Sequence, residues 1–192
     1  MIPGATDVLA FWFSDRARAL WFEKDVAFDT EIRARYGALI ALAASGELDR
    51  WIETADGAAA LLIVLDQFPR NVHRGSPRAF EHDGKALEVA AVVIARGLDM
   101  EMTPDQRRFV YLTYCHSEAL PDQERALILF QGWTDALRGT ADEEEALDQM
   151  FFVRRHHEII ARFGRFPHRN GVLGRASTRE ELAFLREPHS SF

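Results

Sequence analysis

Ala58-Ala59-Ala60-Leu61-Leu62-Ile63-Val64-Leu65-Asp66-Gln67-Phe68-Pro69-Arg70-Asn71 contains the most apolar stretch of the chain, and the fold class turns on how it is read. By periodicity alone, Leu61–Leu65 fits a buried strand as well as a buried helix. The alanine-rich lead-in favours helix, because alanine gives up no side-chain freedom there. The expected helix begins near Asp56, runs through Leu61, Leu62, Leu65 and Phe68, and stops at Pro69, since proline disfavours the α conformation at the residue before it. The apolar run Ala58–Leu65 is far shorter than the ~20 residues needed to span a membrane.

Working outward, the same start and stop signals recur. Asp7 is a cap for a short helix carrying Val8, Leu9, Phe11, Trp12 and Phe13. Asp25 caps a long one with Phe28, Ile32, Leu39 and Leu42 near helical spacing, and Gly46 stands where a left-handed helix end is wanted. Ser76-Pro77 and Thr103-Pro104 are caps followed by proline at the first helical position. The first of these opens a helix expected to run to Arg96, with Gly97 as its stop. Pro121 opens a helix through Trp133 and Leu137. Thr140 with Glu143, and Ser177 with Glu180, have capping-box spacing. The first box is expected to start a helix carrying Phe152, Ile159, Ile160 and Phe163. No segment alternates cleanly, so the fold is read as all-α, with about eight helices in antiparallel helical hairpins. A 34-residue tetratricopeptide consensus is not found in it.

Composition bounds the rest. The 192 residues are 47% hydrophobic with a net charge of −7, which fits one packed domain over 1–192 and argues against disorder. The acidic balance argues against a nucleic-acid partner. The lone Cys115 excludes an internal disulfide and fits a reducing, cytoplasmic setting. Met1-Ile2-Pro3-Gly4 lacks the basic, then apolar, opening of a secretory signal. Charge is uneven: residues 151–192 hold eight Arg and four Glu, a balance of +4, which leaves −11 for residues 1–150. Either this basic segment docks on an acidic body, or it forms an anion site.

One internal echo stands out. Phe68-Pro69-Arg70-Asn71 and Phe166-Pro167-His168-Arg169-Asn170 each place polar residues just past an expected helix stop. Arginine there can satisfy orphan carbonyls at a helix end. Alternatively, the two turns face each other and present arginines and amides to a ligand. These motifs, with Asp66-Gln67, His116-Ser117-Glu118, the run from Arg162-Phe163-Gly164-Arg165 to Leu173-Gly174-Arg175, the early Phe11-Trp12-Phe13 and Trp21-Phe22, and the ending Ser177-Thr178-x-Glu180-Glu181, resemble the bacterial DUF924 family over nearly the whole chain. The resemblance implies a tetratricopeptide-like, right-handed helical stack. It implies no activity. Thr113 and Cys115 stand where that family is expected to have proline and an acidic residue.

The residues that can carry chemistry are His116, Glu118 and Asp66 as candidate catalytic groups, a carboxylate-oriented imidazole being a general base near neutral pH. Arg70, Asn71, His156, Arg165, His168, Arg169 and Asn170 are candidate ligand-binding groups. Together they suit a small anionic ligand, with acid–base chemistry as an open possibility. A peptide-binding helical module and a purely structural ion-pair network are the competing readings. No metal set is expected, since no H-E-x-x-H motif is present, and no cofactor is expected. The aromatic residues near the N-terminus are read as core, with Trp12 also able to wall a pocket.

Overall fold

A computed structural model describes residues 2–191, and among these there are helices and no strands. The chain divides into two compact units, Met1–Thr113 and Tyr114–Phe192. The first contains α1 (Ala5–Trp12), α2 (Asp15–Arg18), α3 (Val26–Ser45), α4 (Ala55–Leu62), α5 (Phe68–Val72), α6 (Asp83–Ala95) and most of α7 (Pro104–Cys115). The second contains α8 (Leu120–Leu137), α9 (Glu143–Phe163) and α10 (Arg179–Phe184). Among the described residues, no helix is long and apolar enough to cross a membrane.

Where the helix signals are local, they operate as expected. The Asp25 carboxylate accepts from Phe28 N–H at 2.7 Å, and α3 ends at Gly46 with φ +90°. Thr103 and Gln106 form a reciprocal cap on α7, with bonds of 2.9 and 3.3 Å. Helix α9 ends at Gly164, φ +65°.

Five expectations need correction. Asp7 does not precede its helix: α1 begins at Ala5, and Asp7 within its first turn accepts from Gly4 N–H at 2.8 Å. Pro69 does not end its helix: α4 passes through a π-turn, Ile63–Gln67, into α5, with Phe68 N–H donating to Ile63 O. In a regular α-helix the proline ring would press on the carbonyl four residues back; the wider π-turn lies directly before it. The helix expected from Ser76 is instead a 3-10 turn, Pro77–Phe80, followed by α6 from Asp83. Thr140 and Glu143 do not box: Glu143 Oε2 accepts from Gly139 N–H at 3.0 Å and α9 begins at Glu143 itself. The last box forms one residue later than read, between Thr178 and Glu181, at 2.7 and 3.1 Å. Ser177 is diverted because its hydroxyl accepts from the Asn170 amide at 3.1 Å.

The first unit is built on aromatic packing. Trp12, fully buried, stacks near Trp21 and Phe28 and meets Phe68 and Phe109 edge-on, at centroid distances of 5.5–6.2 Å. Trp21 Nε1 donates to Trp12 O at 2.9 Å. Trp12 is therefore core rather than a pocket wall, while Phe22, against expectation, is exposed. Gly57 is a position whose importance its sequence context hides. A Cβ there would lie 2.2 Å from Trp51 O, at the point where Thr54 caps α4. Gly57→Ala is expected to cost about 2–3 kcal/mol by forcing that backbone apart, read as a lower midpoint in urea; an unchanged midpoint would show that the turn yields freely.

In the second unit, α8 and α9 pack together across the linker 138–142 as a helical hairpin. Ile159, Ile160, Phe166 and Phe184 form a buried cluster against Phe163.

Candidate functional site

The candidate residues fall into two groups. Asp66, Arg70 and Asn71 lie in the first unit; His116, Glu118, His156, Arg165, His168, Arg169 and Asn170 lie in the second.

In the first group, Asp66 sits buried in the π-turn and accepts from Gln67 Nε2 at 2.5 Å. Arg70 Nη1 lies 3.1 Å from Asp66 Oδ1, donates to Asp66 O at 2.7 Å, and the guanidinium forks onto Asp83 at 2.8 and 3.0 Å. Burial works against the charge of Arg70, but Asp66 and Asp83 outweigh it and raise its pKa. Asn71 donates to Asp29 Oδ1 at 2.8 Å, and Arg74 holds the same carboxylate at 2.8 and 2.9 Å. The carbonyl at the end of α5, Val72 O, is capped by Arg33 from α3. Arg70 is thus held between carboxylates, and capping falls to a residue not singled out.

In the second group, Glu118 does not orient His116. It accepts from Phe166 N–H at 2.8 Å and from Arg175 at 2.6 and 2.9 Å. Burial opposes its charge, but Arg175 and the Phe166 N–H hold its pKa below the usual carboxylate value. Arg175 also donates to Asn170 Oδ1 at 3.0 Å and to Phe166 O at 3.2 Å. Arg165 forks onto Glu181 at 2.6 and 2.9 Å. That bond, with burial opposing it, pulls Glu181 down to about 2. Gln123 Nε2 gathers Cys115 O at 2.7 Å and Ser117 O at 2.6 Å just past α7.

The remaining groups gather around one ring. Phe166 is fully buried; His156 meets it edge-on at 5.5 Å, His168 lies tilted at 5.5 Å, and the Arg169 guanidinium lies 4.5 Å from its centre. Arg169 Nη1 also donates to His116 O at 3.0 Å. The position of His156 on the apolar stripe of α9 is explained by its Nδ1, which is 2.7 Å from Phe152 O. A carbonyl only accepts, so Nδ1 carries the proton and Nε2 is the basic nitrogen. Burial, then the nearby His116, Arg169 and His168, depress His156 to about 3. Burial and Arg169 depress His168 to about 4. Both imidazoles are therefore neutral at pH 7, in a region of positive potential. Among the described residues, no group of His, Cys, Asp and Glu is placed to hold a metal ion.

Arg175 and Glu181 are the organising residues that sequence reasoning missed. The signal for Arg175 was the pair of glycines before it. Gly174, at φ +66°, turns the chain so that Arg175 N–H reaches Asn170 O at 2.8 Å. Elsewhere, a cleft of about 320 Å³ in the first unit is lined by Asp7, Phe11, Ser14, Arg16, Glu31 and Arg35 among others, and includes none of the candidates.

No curated protein matches the chain. A solved structure of the protein of unknown function ATU0120 from Agrobacterium tumefaciens is 38% identical, with a TM-score of 0.84, and the match covers 95% of this chain and 96% of that one. The profile described as bacterial protein of unknown function (DUF924) matches residues 8–189. The chain belongs to the DUF924 family.

Proposed function

We propose that the second unit binds a small anion, a carboxylate or a phosphate, at Arg169 and the imidazoles of His116, His156 and His168. The observation that carries this reading is the gathering of the Arg169 guanidinium and the His156 and His168 rings around Phe166, where burial first and the neighbouring His116, Arg169 and His168 second hold His156 down to about 3. An anion placed there is attracted by the guanidinium and favours the protonated form of the neighbouring imidazoles. It also raises the basicity of His168 and of His156 Nε2, so binding itself would prepare an acid–base pair. Glu118 serves this site by holding the Phe166 turn rather than by moving protons. Asp66, Arg70 and Asn71 act in the same way in their own unit. A second reading, a tetratricopeptide-like right-handed stack that binds a peptide, is supported by the α8–α9 hairpin.

The test is a melting-temperature series with inorganic phosphate and small di- and tricarboxylates at constant ionic strength. A ligand at a hundred times its dissociation constant should add about 2.7 kcal/mol of apparent stability. Arg169→Lys keeps the charge but loses the fork. It is expected to abolish the shift while leaving the melting temperature without ligand nearly unchanged. A large loss of intrinsic stability, with no anion that ever shifts the wild type, would leave Arg169 as architecture. A shift given only by carboxylate-ended peptides would favour the second reading.

A further inference from the structure

We propose that the exposed face of α9 is a self-association surface on which a second copy of this chain packs antiparallel. In the middle of that face Leu147, Phe151 and Phe152 are 57%, 50% and 38% exposed. Leu147 and Phe151 are one helical turn apart, and the Phe151 and Phe152 rings meet edge-on at 5.3 Å. Large apolar side chains grouped this way on one helix mark a contact rather than scattered surface residues.

The charges flanking this centre point to the occupant. Glu144 lies on its N-terminal side and Arg154 on its C-terminal side, with Asp148 between Leu147 and Phe151; all three are exposed, and none has a side-chain hydrogen-bond or ion-pair partner among the described residues. Their three-residue spacings from Leu147 or Phe151 put them beside the same face. A copy running parallel would set acid against acid. A copy running antiparallel about a two-fold axis sets Glu144 of each chain opposite Arg154 of the other, with Leu147 opposite Phe151 between them. This is the self-complementary pattern a two-fold interface requires. The helix runs Glu143–Phe163, long enough for both ends to engage at once.

Sedimentation equilibrium from micromolar to submillimolar protein tests this. The wild type should rise with concentration from 21.8 kDa toward twice that mass. Phe151→Glu should stay monomeric, with association weakened by at least about tenfold. A basic variant, Glu144→Lys with Asp148→Lys, and an acidic variant, Arg154→Glu, should each associate more weakly alone and recover when mixed in equal amounts. All substituted residues are exposed, so helix content by circular dichroism should match the wild type. A wild type that is monomeric throughout would overturn the proposal. So would a Phe151→Glu variant that associates as the wild type does, or a mixture no better than its components.

Discussion

Acidification from pH 7 to pH 4 is expected to destabilise this protein well before its carboxylates titrate. In the unfolded chain His156 and His168 take up protons near 6.5, whereas in the folded protein they resist until about 3 and about 4. Over that interval the unfolded state binds more protons, so stability falls as pH falls, by about 1.4 kcal/mol per pH unit for each residue. The loss begins near 6.5 and levels off once the folded-state values are passed. Glu181 then adds a second loss, since its folded pKa of about 2 lies below the ordinary 4.5: the stability it contributes is present above 4.5 and disappears as pH falls toward 2. Urea unfolding at a series of pH values reads the slope directly. His156→Asn retains a donor for Phe152 O but cannot titrate, so its slope between pH 6.5 and 4 should be shallower by one residue's share. An identical slope in wild type and variant would show that His156 is protonated in the folded state.

The second large effect is expected at Glu118. Removing its side chain by Glu118→Ala strands the Arg175 guanidinium and the Phe166 N–H together, and both are only partly exposed or buried. A charge left without its partner costs more than the pair contributes when made. Because about a quarter of each side chain of the pair still reaches solvent, with exposures of 26% and 27%, the cost is placed at about 2–4 kcal/mol rather than at the fully buried limit. That corresponds to a melting temperature lower by about 4–16 °C for a chain of this size. Replacing both partners with Met should recover part of the loss, since the stranded charge is then gone. A cost below about 0.5 kcal/mol would place the pair with ordinary surface ion pairs, which contribute little.

Legibility followed distance along the chain. Caps and stops that act within one turn, such as Asp25, Gly46, Thr103-Pro104 and Gly164, could be read because the groups that satisfy them are neighbours in sequence. Pro69 could not, because whether proline ends a helix depends on whether the preceding turn widens, and Asp66 in that turn is held by Arg70 of α5, which also binds the distant Asp83. The final capping box slipped by one residue because Asn170 takes Ser177 away. At the candidate site, the residue types were visible but not their partners. The Glu118 carboxylate meets an arginine 57 positions later, and nothing local to either residue announces it. The clustering of His156, His168 and Arg169 on one phenylalanine ring likewise follows from how the chain turns after α9.

That 57-residue span also bears on how the protein is made. In the first unit, the bonds around Asp66, Asn71 and Trp12 join residues all found before position 114. They can form while later codons are still being read. The second unit has no such freedom. Arg165 and Asn170 acquire their partners only once Arg175, Ser177 and Glu181 have left the ribosome, and until then Glu118 lacks the arginine it binds. A synthesis pause after the α8–α9 hairpin would therefore present a nascent protein with one finished half and one open half, and the open half is where a chaperone or a protease would take hold.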